Sequence, residues 1–136
     1  MALLERLGKF KDLGLLIIRI GLGLCFSLIH GLPKIMGGVA MWTKIGGAMG
    51  SVGINFFPAF WGFMASGSEA LGGILVLSGL FFRPACIFLV FTMVVASVVT
   101  YTQGDGFSDA SHAIELGVVF LGLLFVGPGR YSIDGK

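Results

Sequence analysis

From Phe56 to Phe82 the chain is apolar except for one charged side chain, Glu69, near the middle. An apolar run that supplies about 20 helical residues is long enough to cross a bilayer. A carboxylate at the centre of such a span costs roughly 2.5–3.5 kcal/mol on insertion scales, so it needs a partner or a polar cavity. Read as a helix, the run puts Gly62, Ser66, Glu69 and Gly73 on one face, at spacings of four, three and four. Small residues on that face let another helix come close. The stretch therefore offers a buried acid in a groove, and the other spans must answer it.

Three further apolar runs are long enough to do so. Only 12 % of the 136 residues are charged and 56 % are hydrophobic, whereas soluble domains carry about 25 % charged residues. A soluble bundle with buried helices is thereby disfavoured. The sequence predicts a single all-α membrane domain over residues 1–136, an antiparallel bundle of four transmembrane helices. The spans fall at about 13–32, 58–80, 84–101 and 110–126. Pro33 is expected to end the first span and Pro58 to open the second. Phe82-Arg83-Pro84 is a tight link, so spans two and three are antiparallel neighbours. Ser108 reads as the N-cap of span four, and Gly127-Pro128-Gly129 stops it.

Lys34–Asn55 is rich in glycine. It reads as a partly amphipathic loop with a short interfacial helix around Trp42 and Lys44, or as a plain flexible loop. The basic start of the chain resembles a signal peptide, but Arg19 interrupts its apolar part, so it reads as a retained first span. Cys25 and Cys86 form no CxxC motif and read as buried small side chains rather than redox thiols.

Lysine and arginine outside the spans set the orientation. Arg6, Lys9, Lys11, Arg83, Arg130 and Lys136 lie on one side; Lys34 and Lys44 lie on the other. This asymmetry predicts cytoplasmic termini in a bacterial inner membrane. The net charge of +2 is scattered and gives no reason to expect nucleic acid.

Depth can be counted at 1.5 Å per helical residue. Counted from Pro33 and Phe57, Arg19 and Glu69 lie about 20 and 18 Å deep, which predicts a buried ion pair. That pair reads either as a lock on helix register or as a proton or ligand site. His30 and Glu115 lie about 5 and 8 Å deep and predict an outer polar layer that Lys34 and His112 join. Phe26, Phe57, Phe60 and Trp61 would supply its apolar wall. His112-x-x-Glu115 reverses the Glu-x-x-His of di-metal bundles and occurs once, so no metal is expected. No catalytic Ser or Cys arrangement, phosphate loop or dinucleotide fingerprint is present.

Four stretches together resemble the DoxX family of small bacterial membrane proteins. They are Arg19 with His30-Gly31-Leu32-Pro33-Lys34; Glu69 with Gly72-Gly73; Met93-x-x-Ala96; and Glu115 with Gly127-Pro128-Gly129-Arg130-Tyr131-Ser132-Ile133-Asp134. The resemblance implies a four-helix membrane bundle. It also implies kinship with subunits of thiosulfate:quinone oxidoreductase and with partners of thiol and peroxide defence enzymes. Two functional expectations follow. One is a membrane subunit that binds a quinone at His30 and Glu115 and works with a soluble redox enzyme. The other is a non-catalytic anchor, assembly subunit or small transporter. Both leave room for a homo-oligomer in the lipid bilayer, since Gly62-x-x-x-Ser66 can pack within or between subunits.

Overall fold

The computed structural model describes residues 1–135; Lys136, one of the basic residues counted above, lies outside them. Five helices make up the described chain. α1 runs from Ala2 to Met36, α2 from Gly38 to Gly47, α3 from Pro58 to Ser78, α4 from Phe82 to Gln103 and α5 from Phe107 to Val126. All except α2 are long and apolar enough to cross a membrane.

α1 corrects the first boundary, because Pro33 does not end it. The turns before the proline, Cys25–Gly31, are π-helical, and the Leu32 N–H reaches back to the Ser27 carbonyl. A proline ring clashes with the carbonyl four residues earlier. The wider turn relieves that clash, so the helix continues to Met36.

The Gly-rich segment also takes up structure. α2 and the 3-10 turn Ala48–Val52 occupy most of it. α2 does not lie apart as a loop but stacks beyond the end of α1, against the first turns of α3. Gly46 and Gly62 make this possible: a Cβ on Gly62 would fall on the Trp42 carbonyl, and one on Gly46 on the Pro58 carbonyl. Trp42 meets Phe63 edge to face at 4.9 Å. Deeper along α3, α1 takes over. Its Gly31 lies against the backbone of Ala70, and Ser27 Oγ donates to the Ala70 carbonyl at 3.2 Å. On this face α3 is therefore covered by α2 over its N-terminal third and by α1 along the rest.

α3 ends at Gly79, which adopts φ 67°, and the Gly79 and Leu80 N–H groups close on the Leu75 carbonyl at 2.8 and 3.2 Å. A left-handed glycine is a common way to stop a helix. α4 returns antiparallel, and α5 packs along α4. Val76, Phe82, Cys86, Leu89, Phe120 and Leu123 form the centre of the apolar core. Phe26 joins α1 to α5 through an edge-to-face contact with Phe120 at 5.0 Å. Ser108 does not cap α5; the helix starts a residue earlier, after Gly106. The Asp109 carboxylate instead accepts from the Asp105 N–H at 2.7 Å, which closes the preceding turn.

Candidate functional site

The structure does not join Arg19 to Glu69. Arg19 is 1 % exposed and lies at the end of the bundle where the C-terminal tail packs. Its guanidinium donates to four backbone carbonyls: Val76 at 3.0 Å, Leu77 at 2.9 Å, Pro128 at 3.2 Å and Tyr131 at 2.7 Å. Val76 and Leu77 belong to the last turn of α3, where helical carbonyls lack intrahelical partners. A cation there also complements the helix dipole. Arg19 is thus a cap that ties the end of α3 to the tail after α5.

The tail is held from its other side as well. The Asp134 carboxylate accepts from the N–H groups of Phe81 and Phe82, at 3.2 and 2.8 Å, and so caps the start of α4. The Ile133 and Asp134 N–H groups donate to the Ser78 and Gly79 carbonyls at 3.2 and 2.9 Å. The Arg130 N–H donates to Asp12 at 3.0 Å, so both ends of the described chain lie on one side of the bundle. A hydrogen bond and favourable charge interaction with Tyr131, with Asp12 adding, push the Arg130 guanidinium above its ordinary value. These caps were absent from the sequence reading.

Glu69 is answered by Lys34, whose Nζ donates to its Oε2. This is the one ion pair among the described residues. The mispairing has a geometric cause. Counting depth from Pro33 and Phe57 assumed that both mark the same level. But α1 continues past Pro33 and α2 sits beyond it, so Gly31 faces Ala70 and Gly23 faces Leu77. Arg19 therefore reaches Val76 and Leu77, about 10 Å along α3 from Glu69. Lys34 is long enough to bring its ammonium back by a turn while its stem runs along the helix.

The Lys34–Glu69 pair is open on one side. The Glu69 side chain is 8 % exposed and that of Lys34 34 %. His30 lies one turn before Lys34, partly buried, with its ring 5.4 Å from that of Phe26. Trp42 donates from its indole to the Lys34 carbonyl at 3.1 Å, which fixes the backbone of the pair.

The outer layer of His30 with Glu115 is not assembled. Ala110, Ala113, Phe120 and Leu123 define the buried face of α5. Glu115 lies five residues before Phe120, which turns it about 140° away from that residue. Glu115 and His112 are both exposed, and no hydrogen bond or ion pair holds Glu115 among the described residues. The expected apolar wall divides for a similar reason. Phe26 is core, whereas Phe57 and Phe60 are exposed and meet Phe56 and Trp61 edge to face at the N-terminal end of α3. The Trp61 indole N–H is buried without a partner. No cluster of three or more His, Cys, Asp or Glu able to hold a metal occurs among the described residues.

Four long apolar helices, an ion pair between two of them and a tail folded against one end of the bundle define a multi-pass, all-α membrane protein. A family model, DoxX, matches residues 14–102, well over half of the chain, and the protein belongs to the DoxX family. The match spans α2 and α3 and most of α1 and α4; α5 and the tail lie beyond it. No curated protein and no solved structure matches the chain.

Proposed function

We propose that this DoxX-family protein is a quinone-linked redox subunit of a bacterial inner membrane, with both termini cytoplasmic. Its polar centre in this reading is Lys34 with Glu69 and His30, in place of the His30–Glu115 layer. One observation carries the reading: an ion pair midway along a membrane helix, with its acid buried and its ammonium one-third exposed. The open flank leaves ammonium N–H bonds of Lys34 within reach of a ligand that enters from that side.

The residues suit a quinone. The free N–H bonds of Lys34 can donate to a carbonyl oxygen, and a lysine holds three such donors. Glu69 and His30 sit where a proton can be taken up or released. A quinone, when bound, would supply a two-electron, two-proton redox centre. Electrons would come from a soluble oxidoreductase partner. Arg6, Lys9, Lys11, Arg83 and Arg130 are exposed and offer that partner a basic inner face.

The test uses purified protein in lipid nanodiscs titrated with a short-chain quinone. Trp42 reports, because it bonds the Lys34 backbone. Saturable quenching that is lost in Lys34→Met and kept in Lys44→Met is the expected result. No saturable quenching in the unmodified protein removes the redox reading. The anchor or assembly reading would then remain, and one observation favours it: Arg19 and Asp134 are spent entirely on backbone groups.

A further inference from the structure

α5 carries two seams. The inner one, through Ala110, Ala113, Phe120 and Leu123, is buried against the bundle. On the far side Ser108, His112, Glu115, Val119, Gly122 and Val126 follow at spacings of four, three, four, three and four, and all six are exposed. Residues at those spacings line one side of a helix, so a neighbouring helix can lie against all six.

The polar residues of the seam are harder to leave in lipid. Glu115 lies about 12 Å inward from Phe107, which with Tyr101 forms an aromatic pair at the outer ends of α4 and α5. At that depth an acid normally faces a protein partner or a water-filled cavity, and among the described residues Glu115 has no hydrogen-bond or ion-pair partner.

We infer that a second copy of this chain docks on the outer seam of α5, with Glu115 of each copy against His112 of the other. The seam is complementary to itself. Two copies inserted the same way and related by a two-fold axis along the membrane normal bring equal depths together. Each acid then lies level with its own equivalent and about 4.5 Å in height from the other copy's His112, an offset that the two side chains can span. One polar layer within an apolar seam also fixes the register of the pair. Gly122 then lets the two backbones approach: a Cβ there meets nothing within 4 Å of its own chain, so this glycine is not needed for the fold of one copy.

The test takes full-length protein in lipid vesicles, with Cys25→Ser to remove the exposed native thiol. Gly122→Cys is expected to cross-link into a dimer on oxidation with copper phenanthroline. Gly21→Cys, at an equally open glycine of α1, is expected to stay monomeric. Association is then measured by energy transfer between labelled copies. His112→Glu should weaken it about tenfold, because it sets acids against acids. His112→Glu combined with Glu115→His should restore it. Gly122→Ile should dissociate the pair while the helical circular dichroism of the chain stays unchanged. A monomer at every protein-to-lipid ratio, equal cross-linking at Gly21→Cys, or an unaltered affinity in His112→Glu would each overturn the inference.

Discussion

Arg19→Met separates the cap from the ion pair that the sequence led one to expect. The substitution keeps the bulk and the apolar stem and removes five N–H donors. Four carbonyls lose a hydrogen bond to a charged donor. Such bonds contribute about 1.5–3 kcal/mol each, an upper sum near 6–12 kcal/mol. Three corrections lower it. The Val76 carbonyl keeps the Gly79 N–H at 3.2 Å, and the Pro128 and Tyr131 carbonyls lie in a tail where water can replace the lost donor. The variant also no longer buries a guanidinium, which returns several kcal/mol. A net loss of about 3–5 kcal/mol is expected, read by thermal or dodecyl sulfate unfolding in detergent. Arg19→Lys, which keeps the charge without the planar fork, should lose less. The tail should also become open to protease after Gly127 in Arg19→Met. Glu69→Gln decides the remaining question: combined with Arg19→Met, it should add its own effect with a coupling below about 0.5 kcal/mol. A stable Arg19→Met with a protected tail, or its rescue by Glu69→Gln, would refute the capping role.

The other expectations concern α3. Lys34→Met strands the Glu69 carboxylate and should cost about 3–5 kcal/mol; adding Glu69→Gln should recover part of that loss in the same unfolding assay, which additive losses would contradict. Gly62→Ala puts a methyl group on the Trp42 carbonyl and should destabilise by about 1–3 kcal/mol through overpacking, with a shift in Trp42 emission. Gly67→Ala, on the same helix with nothing within 4 Å, should instead gain up to about 1 kcal/mol.

The length of the apolar runs was enough to reveal four spans, because hydrocarbon admits only a backbone that satisfies itself within a segment. That rule acts on each span alone, so it can be read one span at a time. Which polar side chains meet is a different kind of fact. It depends on how far one helix slides along another, and here the slide is set by Gly31 on Ala70 and by α2 stacked on Gly62. Neither contact has a signature in the count of residues from a proline. The partners of Arg19 were hidden more deeply still, since backbone carbonyls are the same at every position. The available signal was indirect: Gly79 and Gly127 mark two helix ends at the level of the same arginine, and helix ends are where carbonyls lack donors.

The same reasoning divides the acids of this chain by what they need. Glu69 has Lys34, and Asp134 has the first N–H groups of α4. Asp12 and Asp109 each accept from a backbone N–H near a span end. These four are satisfied within one copy, so their loss should show as lost stability at any protein concentration. Glu115 has no partner among the described residues and lies deeper in its span than Asp109 does. A carboxylate in that position costs roughly 2.5–3.5 kcal/mol on insertion scales. Among the described residues no contact returns that cost, and in the proposed pair the neighbour on the outer seam of α5 does. Substitutions at Glu115 should therefore leave the unfolding of a diluted single copy almost unchanged and act on association.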